Sequence, residues 1–517
     1  MADNRAMKPN APVPLVLSWS VAILLSGCAV GPDFHKPEAP SGAGFTVQPL
    51  PQTTSSAPGL AGDAQRFVSG ETVPFDWWKA FDSPALDSLV EEALKANPSI
   101  PAARAALAQA QELVYAQQGY FFPTIGAQYQ FERQKLSGNT GGNSPGVQGN
   151  GTVISTGSTT AGPPYVTPII YNFHTAELTV GYTPDVFGLN RRQVESLDAQ
   201  AQYQRFELEA TYVTLVSNVV GAAIQEASLR AQIAATQAII ADNQKSLDIL
   251  RDKLENGYAM RLDVAAQEAA LGQAQQLLPP LTKQLEQTRD LIRVLVGKLP
   301  NEEVAETFEL SALKLPGEVP LTLPSMVIEQ RPDVRAAEQQ LRAANAQVGV
   351  ALANRLPQFS IQGAVGGNAS NFSQMFASGG PFWDVIGSVS QTIFAGNTLL
   401  HEQRAAQQAF LQSAALYRQT VLAAYQDVAD TLHMMLADAD ALGAAVATER
   451  AAKMERDLTL SRREAGYTDY LTYLTAELTY QQAVLGLAQA QALRFGDTAA
   501  LYQALGGGWQ DRPQNPP

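Results

Sequence analysis

The 517 residues contain one thiol, Cys28, and its surroundings give it a chemistry. It closes the run Leu25-Ser26-Gly27-Cys28, behind an apolar stretch at 15–25 and a positive start from Arg5 and Lys8. This order is a secretory signal peptide that ends in a bacterial lipobox. The sulfur takes a diacylglycerol, and cleavage then exposes the Cys28 amine for a further acyl chain such as palmitate. Several acyl chains anchor stably, because each buried methylene contributes about 0.8 kcal/mol. The competing reading is an ordinary leader with an incidental cysteine. Ala29 follows where an aspartate often holds such lipoproteins at the inner membrane, so the outer membrane is the expected destination.

No other grouping suggests catalysis. His35, His174, His401 and His433 are scattered and make no metal-ligand spacing. Gly297-Lys298 lacks both the preceding glycine and the following hydroxyl residue of a phosphate-binding loop. No enzyme, cofactor or metal is expected. The net charge of −14 suggests no basic surface and no nucleic acid partner.

What positions Cys28 is a chain written twice. Pro98, Ala102, Ala103, Leu107, Ala110 and Pro123 recur 234 residues later, from Pro332 to Pro357. Gly257, Tyr258, Leu262 and Glu268 recur 209 later as Gly466, Tyr467, Leu471 and Glu477. The segments read as a leader (1–27), a lipid-anchored tether (28–75), a first repeat (76–300) and a linker (301–324). A second repeat (325–505) and a flexible tail (506–517) follow.

In each repeat a helix (98–121 or 332–355) leads through a proline into two strands. Ile125, Ala127, Tyr129 and Phe131 alternate with polar or small residues, as do Ala176, Leu178, Val180 and Tyr182. Phe359 to Val365 and Trp383 to Val389 repeat the theme. Period-two alternation gives one apolar face. About ten residues suffice for a tilted strand to cross a bilayer, although a soluble sandwich would show the same pattern. The polar loop 137–164 is longer than its counterpart, expected at 366–381.

A long proline-free segment follows each pair of strands. Residues 189–256 would make roughly 100 Å of helix. They carry two heptad seams, one from Phe206 to Ala234 and one from Leu208 to Ile240. Two seams suit a helix flanked on both sides, as in a wall of helices. Gly257-Tyr258 and Gly466-Tyr467 stop the long helices, and return helices follow at 261–296 and 470–505. Pro279-Pro280 is expected to break or kink the first return helix.

Four strands cannot close a barrel, and an open edge in hydrocarbon costs several kcal/mol per unsatisfied group. Two, three or four copies could share eight, twelve or sixteen strands. The motifs Cys28-Ala29-Val30-Gly31-Pro32-Asp33, WWKAFDSPALDSLVEEAL from Trp77, LPPL at 278–281 and ALGGGW at 504–509 carry a resemblance. With the Pro123 and Pro357 junctions, in this order along a duplicated chain, they resemble the outer membrane factor family, the channel components of tripartite efflux pumps. The resemblance implies an α+β membrane protein, a homotrimer sharing a twelve-stranded transmembrane β-barrel with four strands per chain. A long periplasmic α-helical barrel would continue it. It also implies a periplasmic adaptor, an inner-membrane transporter and outer membrane lipids as partners.

The same resemblance places Gly257, Tyr258, Gly466 and Tyr467 at adaptor-contacting helical tips. It places Leu471 at an apolar constriction of the periplasmic mouth. Thr475 and Leu478 stand where relatives carry an Asp–Arg latch, so that latch is absent. Asp469 and Glu477 could supply acidity there, with Arg462 and Arg463 as partners, or be solvated surface charges. Passive efflux of small molecules is the leading reading. An exit duct of a type I polypeptide secretion system and a periplasmic coiled-coil scaffold lipoprotein are the alternatives.

Overall fold

The computed structural model describes residues 29–38, 44–135, 145–147, 153–155 and 170–512. Cys28 and the leader lie outside the described residues, as does most of the loop at 137–164. The duplication is plain in the element order. The first copy runs α1 (Ser99–Gln118), β1 (Thr124–Lys135), β2 (Ile170–Tyr182), α2 (Leu189–Glu255) and α3 (Arg261–Leu295). The second runs α4 (Pro332–Ala353), β3 (Gln358–Ala369), β4 (Pro381–Ser390), α5 (Thr398–Glu464) and α6 (Tyr470–Ala504). The paired long helices have 67 residues each and the paired return helices 35 each. No helix among the described residues is long and apolar enough to cross a membrane.

The chain divides into two compact units. One holds Ala110–Gln200, Leu341–Ser413 and the N-terminal stretch to His35. It contains an antiparallel sheet in the order β1-β2-β3-β4. The register puts Ile125, Val180, Gly363 and Val385 in one row across all four strands. The next row is Ala127, Leu178, Val365 and Trp383. The opposite face carries Gln128 bonded to Glu177 at 2.8 Å and Ser360 bonded to Ser388 at 2.7 Å. The alternation in the sequence thus becomes one apolar and one polar face. β3 runs on to Ala369 rather than ending before 366, so the second loop is shorter than expected. Glycines permit this: a Cβ at Gly366 would lie 2.3 Å from the Ala176 carbonyl oxygen, and one at Gly367 2.2 Å from that of Met375.

The first residues after Cys28 are clamped in this unit. The Val30 N–H donates to the Phe187 carbonyl at 3.1 Å. Buried Arg192 donates to the Val30 and Gly31 carbonyls and to Asp33 Oδ1 at 2.9 Å. Gly31 has φ +100°, and a Cβ there would meet Gly349 Cα at 2.5 Å. This contact explains the glycine in Ala29-Val30-Gly31-Pro32-Asp33.

The other unit comprises Lys36–Gln109, Ala201–Gln340 and Ala414–Pro517. The Trp77 motif is its core anchor. Trp77 stacks on Tyr502 with ring centroids 5.2 Å apart, and Phe81 meets Phe495 at 6.3 Å. Ser83 caps the helix that begins at Pro84, and Leu86, Leu89 and Val90 are fully buried. Of the segment expected as an extended tether (28–75), residues 44–75 are part of this body. Arg66–Ser69 forms a strand parallel to Glu318–Leu321, and the Gln65 side chain donates to Thr498 at 3.0 Å. The linker also folds, burying Val304, Phe308, Leu310 and Val319.

The tail is not loose as far as Arg512. Gly506, Gly507 and Gly508 all have positive φ, and a Cβ at Gly508 would sit 2.3 Å from the Pro74 carbonyl oxygen. This turn lets the Trp509 indole donate to the Gln330 carbonyl, while Arg512 pairs with Glu209.

Both seams of α2 are buried through the middle of the helix, including Phe206, Val220, Ile224, Leu208, Val219 and Leu229. Towards the turn the buried set narrows to one stripe, Thr236, Ile239, Asn243, Leu247 and Leu250. Glu226, which falls on the seam that begins at Leu208, is 1% exposed and held by Arg230 at 2.7 Å and Arg289 at 2.8 Å. Pro279-Pro280 does not break α3, which runs as one helix to Leu295. The carbonyls deprived of donors belong to Gln275 and Gln276, both exposed, so water can satisfy them.

Candidate functional site

The two Gly-Tyr turns close with the same hydrogen bonds. Gly257 N–H donates to the Leu254 carbonyl at 3.0 Å and Tyr258 N–H to Lys253 at 2.7 Å. Gly466 and Tyr467 repeat this with Arg463 and Arg462 at 3.0 and 2.8 Å. Both glycines are left-handed, at φ +76° and +81°. These are paired 6→1 and 5→2 bonds, the Schellman stop that glycine makes without strain. Each turn projects its tyrosine into solvent, Tyr258 84% and Tyr467 78% exposed. Met260 and Leu262 are exposed beside the first turn.

Beneath the turns Leu250, Ala270, Tyr470, Tyr473 and Leu474 form one buried cluster, joined by Val264, Leu460 and Leu478. A polar thread crosses it. The Tyr470 hydroxyl donates to Gln267 Oε1, and Gln267 Nε2 donates to the Asn243 backbone and side-chain oxygens, each at 2.9 Å. Three helices, α6, α3 and α2, are tied together by it. Burial pushes the Tyr470 phenol well above its ordinary value, and burial with Glu477 nearby pushes Tyr473 up to about 12.

The site residues named from the sequence separate into three environments. Leu471 and Thr475 are exposed, and the Thr475 hydroxyl donates back to the Leu471 carbonyl at 2.9 Å. Leu478 does not join that surface; it packs on the buried cluster. Asp469 is the N-cap of α6, accepting from Thr472 N–H and Thr472 Oγ1 at 2.7 Å each. Those two hydrogen bonds hold its carboxyl below the ordinary range.

Glu477 is buried, accepting from Gln481 at 2.9 Å and from Tyr473 at 3.3 Å. Its cationic neighbour is Arg456 at 4.0 Å, not Arg462 or Arg463. Arg463 instead stacks over the Tyr470 and Tyr473 rings at 4.6 and 5.4 Å. The sequence reading missed Arg456 and the Asn243–Gln267–Tyr470 thread. Asn243 and Gln267 lie beside apolar buried positions, Ile239, Leu247 and Leu250 on α2 and Ala270, Leu271 and Ala274 on α3, which was the available signal for them. Among the described residues no cluster of histidines, cysteines or carboxylates could hold a metal.

A family model described as outer membrane efflux protein matches residues 89–298 and 323–507. The chain belongs to that family. Its two matched stretches span the two copies of the duplicated element order. As a member of the family it is an outer membrane efflux protein. It is similar to the pyoverdine export outer membrane protein OpmQ of Pseudomonas putida, 27% identical over 464 residues, which cover 89% of this chain and 94% of the relative. It is also 27% identical over 512 residues to the toluene efflux pump outer membrane protein TtgC of Pseudomonas putida, with 96% of each covered. Among solved structures it is similar to the outer-membrane channel OprN, with a TM-score of 0.79 and 26% identity over 93% of this chain and all of that one.

Proposed function

We propose that three copies of this chain share a twelve-stranded barrel in the outer membrane, continued by a helical tube in the periplasm, and that small molecules pass through passively. The observation that carries the reading is the sheet. Its edge strands β1 and β4 have no outer neighbour among the described residues, and its apolar face is open, with Ile125 and Trp383 each 76% exposed. An unpaired edge is tolerated in lipid only when closed by further strands. The narrowing of the α2 seams towards the turn supports a tube in the same way. Ile233 and Ile240 continue a seam that is only half-buried among the described residues.

In this reading the Gly-Tyr turns meet a periplasmic adaptor through Tyr258 and Tyr467, and an inner-membrane transporter supplies cargo and energy. Leu471 and Thr475 line the closable mouth, while Asp469, Glu477 and Leu478 shape the helix that carries them. Cys28 bears the lipid anchor. The chain itself carries no catalytic role. Native mass spectrometry of the detergent-extracted protein tests the assembly. A mass of three chains that survives removal of bound lipid is expected, and a monomer would overturn the reading.

A further inference from the structure

Where β1 and β3 begin and β2 ends, the unit containing the sheet has a cavity of about 640 Å³. Phe122, Val186, Phe187, Leu189, Pro357 and Phe359 give it largely apolar walls. One donor in its lining has no acceptor. Asn190 Nδ2 is buried without a partner, while Asn190 Oδ1 accepts from Gln117 at 2.6 Å. A buried N–H without a partner is costly. The cavity therefore suits a ligand that is apolar along its length and carries a carbonyl oxygen.

The chain delivers such a ligand to this place. Ala29 lies against Gly188, between the lining residues Phe187 and Leu189; a Cβ on Gly188 would be 2.6 Å from Ala29 Cα. Gly31 lies against Gly349, next to the lining residue Val350. Arg192 and Asn345 fix residues 30–33 by hydrogen bonds, so the peptide leaving Ala29 starts beside the cavity. Cys28 is one peptide bond further, about 3.8 Å between Cα atoms. We propose that an acyl chain borne by Cys28 fills this cavity and that its ester or amide carbonyl accepts from Asn190 Nδ2. The assignment rests on the lipid anchor proposed above. It makes one acyl chain a packed part of the strand–helix junction, with only the others left to enter the bilayer.

The test uses the full chain in its own membrane. Cells are fed a fatty acid carrying a mid-chain diazirine, irradiated, and the digested protein is mapped by mass spectrometry. The expected product is the peptide beginning at Cys28 joined through its lipid to a peptide within 117–124, 181–193 or 350–362. It should vanish in Cys28→Ser. It should fall severalfold in Phe359→Trp, which narrows the cavity and leaves the lipid mass unchanged. Lipid mass on Cys28 with cross-links only elsewhere would overturn the pocket and spare the anchor. Lining cross-links that persist in Cys28→Ser would assign the cavity to membrane phospholipid instead. An N-terminal peptide without lipid mass would remove the anchor and this assignment together.

Discussion

Tyr470→Phe isolates the thread that ties the return helix to its neighbours. The ring stays, so the packing with Leu250, Ala270 and Leu474 is kept. What is lost is the hydroxyl that satisfies Gln267 Oε1 in a buried setting, Gln267 itself being 1% exposed. Leaving such an acceptor unpartnered costs about 1–3 kcal/mol. At 1.4 kcal/mol per factor of ten, local opening of the first turns of α6 should become roughly 5- to 150-fold more frequent. Amide hydrogen exchange on the purified protein reads this directly at Tyr473 to Glu477. The core around Trp77 should be unchanged. The double variant Tyr470→Phe with Gln267→Leu should cost less than the two single changes added together, because the bond they share is lost only once, even though Gln267→Leu also leaves the buried Asn243 side-chain oxygen without its donor. If Tyr470→Phe exchanges like the wild type, or if the double variant is simply the sum of two losses, the thread does not hold the helices together.

Three further outcomes follow from the same region and its neighbour. Leu471→Ala should raise the resting conductance of the purified channel in a planar bilayer, because Thr475 and the half-buried Leu478 offer no charged pair to keep the proposed mouth shut; conductance equal to wild type would remove Leu471 from the gate. Tyr470 and Tyr473 have folded pKa values above the ordinary 10 because of burial, so their contribution is intact below about pH 10 and is lost as pH rises towards about 12. Exchange at the α6 tip should therefore accelerate in that alkaline window, and Tyr473→Phe should weaken the dependence. Glu226→Ala leaves Arg230 and Arg289 without their shared carboxylate and should cost about 3 kcal/mol, measured as earlier thermal loss of helical circular dichroism.

The elements were legible because their signals are long. A proline-free stretch ending in Gly-Tyr located α2 to within a residue, and period-two alternation located all four strands with their common apolar face. Pro279-Pro280 does not break the helix because its orphaned carbonyls face solvent. The tether and tail misled because glycine and proline were taken as looseness. Gly506 to Gly508 instead make a tight left-handed turn against Pro74 and Gln330. The site was less legible because its interactions join residues far apart in sequence. Glu477 reads equally as an acidic site residue or a solvated charge until Gln481, Tyr473 and Arg456 are placed around it, and nothing local links Tyr470 to Gln267. Asp469 was the exception: an aspartate three residues before Thr472 at a helix start is a cap that the sequence alone could have identified.

An even number of strands has a consequence for biogenesis. The chain enters and leaves the sheet on the same side, so in the proposed barrel the helix ends that flank the four strands stay on the periplasmic side. In that reading the connections at 136–169 and 370–380, with the strand ends beside them, have to be pushed through the bilayer. Neither contains an Asp, Glu, Lys or Arg. Passage of these connections themselves therefore requires no ionised side chain to shed its water, and the charges nearest to them are Glu132, Arg133 and Lys135 at the end of β1.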